Sequence, residues 1–391
     1  MRVRLLTNFI GLSTKQICAN VQGLYMKKYF FYLIMILLMI SLPLGTVAIY
    51  YGYRKLTLSY DYCSSYGQVD DVIGWVLKPN ASSCLSLKNH LTKEIFFDTK
   101  IYTNELGFRD TAPFREVPKN AIMLIGDSWT FGYGVNFESS FPHLLSTELK
   151  VPTVNMGVPA YGSGSTFQLF SRHNEKLNPS VVIYFTLGLW ARSICHSSLV
   201  HQTLLPCYFI DEQGQAQFAI PPHGLIESSV SNRVYPGGYL TSGSDFKAML
   251  LNKPQEILQN LKQYISNAFK KIGVTIFQYE LDLTPKNEHV AKILAYELDQ
   301  YKKLLVNTDT VFLLYDVNGS YANLVMPIQE TLGNRFIYAG VDRWNQDVAS
   351  RFDNLTQNQI RVPKDGHFAE GANSLIAHSI AKLLTENNIR Y

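Results

Sequence analysis

Apolar positions in this chain alternate between two textures. Residues 121–125 (AIMLI), 180–186 (SVVIYFT), 310–315 (TVFLLY) and 335–339 (RFIYA) are short, almost unbroken apolar runs, and residues 151–156 form a weaker one. Such runs suit strands covered on both faces, as in a parallel sheet. Between them, residues 142–150, 254–271, 288–305 and 369–384 carry helical spacing; the last places Ile376, Ile380, Leu383 and Leu384 on one stripe. Strands alternating with helices predict an α/β fold with a parallel sheet flanked by helices. Residues 274–279 fit a strand or the tail of the preceding helix. Residues 190–245, rich in Gly, Pro, Ser and His, form an insertion. Residues 56–115 hold turn residues and short, partly alternating apolar runs, and predict a small β-rich lead-in to a domain spanning 116–391.

A different pattern stands near the start. Residues 29–51 (YFFYLIMILLMISLPLGTVAIYY) run for 23 positions without a charge. At about 1.5 Å per residue this helix spans a bilayer core of about 30 Å. Tyr25, Tyr29 and Tyr32 at one end and Tyr50, Tyr51 and Tyr53 at the other form aromatic belts. Five basic residues precede the run and two follow it, after which no Lys or Arg occurs until Lys78. The positive-inside bias predicts residues 1–28 in the cytoplasm and everything after 55 outside. The alternative is a cleaved signal peptide with its site near Thr46-Val47-Ala48, but the apolar run continues past it. Met26-Lys27-Lys28 reads as a natural start, with 1–25 an overextension.

The charge agrees with this topology. The chain has 391 residues and a formal net charge of +4. Residues 1–55 contain seven basic and no acidic residues; removing those seven from the 35 Lys and Arg leaves 28 against 31 Asp and Glu, or −3. The excess is a topology signal, and a basic nucleic-acid-binding domain is excluded. Aromatics reach 13%, which excludes disorder over most of the chain. Of five cysteines, Cys18 falls on the cytoplasmic side. The other four suit two disulfides in an oxidising compartment; proximity favours Cys63 with Cys84 and Cys195 with Cys207, among three possible connectivities.

Candidate chemistry sits where strands end. The run 121–125 leads into Gly126-Asp127-Ser128, which exposes a hydroxyl in the crevice where open parallel sheets bind ligands. Alone, such a serine is usually a helix cap. Lys364-Asp365-Gly366-His367-Phe368, just before the last helix, supplies a base and a group to orient it. No GxSxG, P-loop, HExxH or GxGxxG motif is present. His196 and His201 have the spacing of a metal pair but lack a third ligand. Trp129, Phe131 and Tyr133 suit either a sugar site or ordinary packing.

These motifs together resemble the SGNH/GDSL hydrolase superfamily, in its membrane-anchored bacterial branch. The resemblance lies in residues 102–110 (YTNELGFRD), 126–135 (GDSWTFGYGV), 155–162 (NMGVPAYG) and the Asp-x-His of 365–367. It implies a three-layer, flavodoxin-like SGNH fold. It also implies Ser128 as nucleophile, His367 as general base, Asp365 as its orienting acid, and an oxyanion hole from the backbone N–H groups of Ser128 and Ala160. Two departures stand out. The family's block-two Gly falls on Ala160, and the segment 187–192 (LGLWAR) has no Asn where block three has one; Arg192, His196 and His201 are the nearby donors. The Asp–His spacing of two matches some polysaccharide-modifying relatives. The resemblance implies a serine esterase or O-acyltransferase acting on acyl groups, foremost acetyl, of envelope saccharides or lipid-linked glycans, without cofactor or metal. The alternative is a non-catalytic carbohydrate-binding or assembly protein.

Overall fold

In the computed structural model, the described residues are 32, 57–111, 116–187, 206–211, 213–219 and 288–391. The predicted span 29–51, apart from Tyr32, lies outside them. So do the expected helix over 254–271, residues 274–279, Arg192, Cys195, His196 and His201. Among the described residues no helix is long and apolar enough to cross a membrane. The chain divides into two compact units. The smaller comprises Met1–Ser59 with Asn89–Glu94; in it the Asn89 side chain accepts from the Leu91 and Thr92 amides and closes a turn.

The larger unit, Tyr60–Lys88 with Ile95–Tyr391, holds the fold. Its strands are β1 (Leu58–Tyr62, in this unit from Tyr60), β2 (Gly67–Asp70), β3 (Gly74–Leu77), β4 (Ser82–Asn89, in this unit up to Lys88), β5 (Ile95–Thr103), β6 (Arg109–Asp110), β7 (Ile122–Gly126), β8 (Thr153–Gly157), β9 (Val181–Thr186), β10 (Cys207–Ile210), β11 (Ala216–Ala219), β12 (Val311–Asp316) and β13 (Phe336–Ala339). Nine form one sheet in the order β1-β4-β5-β6-β8-β7-β9-β12-β13. The pairs from β8 to β13 are parallel. Numbered along the chain, those five strands run 2-1-3-4-5, the flavodoxin-like order, whose ligand crevice opens where the winding reverses, beside β7. Both faces are covered, so β7 and β12 are buried throughout. On one face, helices Phe141–Leu149 and Glu370–Glu386 set Phe141, Leu145, Ile376 and Ile380 against Leu124, Ile183, Phe185 and Leu313. On the other, helices Ser163–Leu177 and Glu288–Leu305 bring Phe167, Phe170 and Tyr301 onto Tyr184 and Phe312. The three-layer expectation matches this arrangement.

The lead-in does more than precede the domain. Strands β4, β5 and β6 pair antiparallel and continue the same sheet through β8. Asn104 and Gly107 make the turn that allows this. The Asn104 carboxamide oxygen accepts from the Leu106 and Phe108 amides. Gly107 adopts φ +82°, and a Cβ there would lie 2.4 Å from the Leu77 carbonyl. The turn delivers Arg109 beside β8, paired with Asn155. Cys63 and Cys84 are disulfide-linked with Cα atoms 5.0 Å apart, as proximity favours. Cys207 is also disulfide-bonded. Strands β10 and β11 form a hairpin within the insertion.

Candidate active site

The turn after β7 is built around Gly126. Its φ is +156°, and a Cβ would sit 2.2 Å from Thr130 Oγ1 and 2.9 Å from the Phe185 carbonyl. Glycine is therefore required for the chain to turn sharply into the short helix Ser128–Phe131. Asp127 caps that helix, its carboxylate accepting from the Trp129 amide at 3.0 Å. Gly157 of β8 lets the helix approach, since a Cβ there would meet the Phe131 amide nitrogen at 2.2 Å. Arg109, fully buried, closes the other end. Its guanidinium donates to the carbonyls of Phe131 (2.6 Å), Gly132 (2.5 Å) and Val135 (2.6 Å), and stacks 4.4 Å over the Phe131 ring. Burial pulls its pKa down to about 10, which leaves it charged at neutral pH. Carbonyls at a helix C-terminus favour a cation.

The second arm is a tight loop between Ile360 and the helix Glu370–Glu386. Arg361 and Phe368 form a β-bridge, and Val362 donates to the His367 carbonyl at 2.8 Å. The loop turns through Lys364 at φ +63° and Gly366 at φ +100°. Arg361 stacks on Phe368 (4.4 Å) and Trp129 (5.1 Å) and donates to the Gly366 carbonyl. With only Gly366 between them, Asp365 reaches His367 twice. One carboxylate oxygen accepts from the His367 amide at 3.1 Å and from its Nδ1. The short Asp–His spacing thus fixes the imidazole through both backbone and ring.

The two arms meet. His367 Nε2 lies 2.8 Å from Ser128 Oγ. The carboxylate accepts a proton bond at Nδ1, leaving Nε2 to accept from the serine hydroxyl. Trp129 and Tyr133 pack against the imidazole with centroids 4.7 and 4.8 Å away. Burial alone would raise the Asp365 carboxyl, but the His367 bond and charge, with a bond from the Tyr60 hydroxyl, hold it below its ordinary value. That bond, 2.7 Å to the second carboxylate oxygen, comes from β1. Phe131 and Tyr133 are only 1% and 6% exposed.

Ala160 lies in the loop after β8 at φ +65°. This is the left-handed region that suits glycine, which accounts for the glycine of the resembled motif at this position. The loop is tied to the nucleophile turn by Val158 donating to the Gly126 carbonyl at 3.2 Å. Tyr161 anchors it through its hydroxyl to the Trp75 carbonyl. Among the described residues, no hydrogen bond engages the backbone N–H of Ser128 or Ala160. A recess of about 20 Å³ is lined in part by Gly126, Asp127, Gly162, Ser163 and Thr186.

Serine, histidine and aspartate in hydrogen-bonded sequence, at the crevice of a 2-1-3-4-5 sheet, form the geometry of a nucleophile, a base and an orienting acid. The chain resembles SGNH/GDSL hydrolases. No family model matches it, and no curated protein does. Solved structures similar to it include one described as a lipolytic protein of the G-D-S-L family from Desulfitobacterium hafniense, at 12% identity and TM-score 0.31, covering 68% of this chain and 100% of that one. The psychrotrophic esterase EstA from Pseudoalteromonas sp. follows at 11% identity and TM-score 0.32, covering 68% and 98%. A family 3 carbohydrate esterase of Clostridium thermocellum has 11% identity and TM-score 0.32, covering 68% and 94%. Likenesses of this size decide nothing about chemistry, which rests on the side-chain geometry.

Sequence reasoning missed Tyr60 and gave Arg109 no role. Tyr60 stands in LSYDY, which carries no chemical signal. Arg109 belonged to a quoted motif, and its full burial was the missing clue.

Proposed function

We propose that the protein is a serine esterase or O-acyltransferase of the SGNH/GDSL type. It is held in the cytoplasmic membrane by the helix 29–51, with the catalytic domain on the extracytoplasmic, periplasmic side. Its substrates are ester-linked acetyl groups on envelope saccharides or lipid-linked glycans. The observation that carries the chemistry is the unbroken link from Ser128 Oγ through His367 to Asp365. Ser128 attacks the acyl carbonyl while His367 Nε2 takes its proton. The tetrahedral oxyanion is met by the N–H groups of Ser128 and Ala160, and losing such a donor costs about a hundredfold or more. The sugar oxygen leaves with the proton from Nε2. Water or a second sugar hydroxyl then resolves the acyl-enzyme. A domain carrying −3 and rich in aromatics favours a neutral saccharide over a polyanion.

The test is acetate release from acetylated oligosaccharides by the purified full-length chain, compared with Ser128→Ala and His367→Ala. Release by wild type that both variants lose by about a thousandfold or more supports the reading. Added acceptor glycan separates transfer from hydrolysis. The absence of Asn from 187–192 favours a second reading, a non-catalytic saccharide-binding domain. Saccharide binding without acetate release, unchanged in Ser128→Ala, would establish it.

A further inference from the structure

We propose that Tyr60 is a fourth member of the Ser128–His367–Asp365 relay, a positioning residue that fixes the Asp365 carboxylate for His367. The inference rests on the catalytic reading above and adds a residue from outside the nucleophile and histidine loops. The two oxygens of Asp365 are divided. One serves the His367 amide and ring; the other takes the Tyr60 hydroxyl at 2.7 Å. The Asp365 side chain is only 4% exposed, so Tyr60 supplies what water would otherwise supply. A carboxylate held at both oxygens is not free to rotate away from the imidazole.

Strand geometry makes the placement firm. Tyr60 and Tyr62, two apart on β1, share a face. Tyr60 sits on Asp365, while the Tyr62 hydroxyl lies 3.3 Å from that of Tyr133, which packs on the His367 ring. Phe97 and Tyr133 hold the Tyr60 ring with centroids 6.4 and 6.3 Å away. Both members of the Asp–His pair are therefore supported from one strand.

The chemistry needs this. When Ser128 Oγ bonds to the acyl carbon, its proton moves to Nε2 and His367 becomes an imidazolium, which a rigid, ionised Asp365 stabilises. The proton then passes to the departing alkoxide as the acyl C–O bond breaks. Tyr60 and Asp365 keep their own protonation throughout. A phenol donating to a buried carboxylate keeps it ionised.

The experiment uses Tyr60→Phe in the full-length chain, which retains the ring and its packing. The rate of a serine-directed fluorophosphonate is measured from pH 5 to 9, alone and in an Asp365→Asn background, and the His367 Nδ1–H resonance is followed by NMR. The expected result is labelling about tenfold slower, as for loss of one bond to a charged group, with the Nδ1–H resonance displaced because the Asp365 carboxylate changes its hold on the ring. In Asp365→Asn the substitution adds no further loss. An unchanged rate and resonance, or an equal loss in the Asp365→Asn background, overturns the proposal. Should wild type fail to label, the catalytic reading falls; the resonance still decides whether Tyr60 positions the Asp–His pair.

Discussion

Arg109→Met removes a guanidinium that closes the C-terminal end of the nucleophile helix and leaves its apolar stem in place. Three carbonyls, of Phe131, Gly132 and Val135, lose donors at 2.5–2.6 Å in a site sealed from water. The Phe131 and Gly132 carbonyls keep longer bonds from Asn155 Nδ2 (3.4 Å) and the Val135 amide (3.3 Å), so the loss is that of three bonds to a charged donor, at about 1.5–3 kcal/mol each, or about 4.5–9 kcal/mol. An opposing term follows from the burial of a cation that makes no salt bridge among the described residues. The fall of its pKa from 12.5 to about 10 puts the relief on removing that charge at about 3 kcal/mol. The lost bonds outweigh that relief, and the net destabilisation is about 1.5–6 kcal/mol. Urea denaturation of the purified chain reads this as a lower midpoint at an unchanged slope. Arg109→Lys, which keeps a charge but lacks the planar fork, falls between the two. A Met variant within about 0.5 kcal/mol of wild type would refute the reasoning, because it would mean the carbonyls are satisfied without the guanidinium.

Three further outcomes are expected. Ala160→Gly relieves an alanine at φ +65° and keeps the N–H, so stability holds or rises by up to about 1 kcal/mol and acyl transfer persists; Ala160→Val, β-branched at the same angle, loses both. A thermal-melt ordering with Val above Ala would contradict this. Asp70 receives two bonds from Arg172 at 2.6 and 2.8 Å, and the Arg172 bond holds its pKa at about 2. Its contribution is complete above the unfolded value near 3.8 and disappears as pH falls through about 2, so Asp70→Asn flattens that part of the acid-stability curve. Glu297 is fully buried and accepts from the Tyr321 hydroxyl, and burial pushes its pKa up to about 7. The folded state therefore keeps a proton that the unfolded chain releases, and wild-type stability falls as pH rises from about 4.5 to 7. Glu297→Gln removes that slope; an identical slope in both proteins would place the buried proton elsewhere.

The central strands were legible because a strand covered on both faces needs apolar residues at every position, and β7, β9 and β12 have them. The last helix was legible from its stripe, and its observed bounds, Glu370–Glu386, differ by a residue or two. The helix Ser163–Leu177 went unread because it opens on Ser-Gly-Ser-Thr, poor helix formers whose signal hid Phe167, Phe170 and Leu177 on one side. The lead-in looked separate because its strands are short and broken by turns; only pairing across β6 and β8 reveals one sheet. Ser128, Asp365 and His367 were named from local motifs, yet their approach depends on contacts more than 230 residues apart in sequence, which no local pattern encodes. Tyr60 is the extreme case, 305 positions from the carboxylate it touches.

The central claim is that Ser128 is a nucleophile activated by His367. Mass spectrometry of the full-length chain after exposure to a serine-directed fluorophosphonate tests it most directly. The expected result is one adduct per chain, mapped to Ser128, absent in Ser128→Ala and slowed by about a thousandfold in His367→Ala. A folded wild-type protein that takes up no label, or takes it up at another serine, would contradict it.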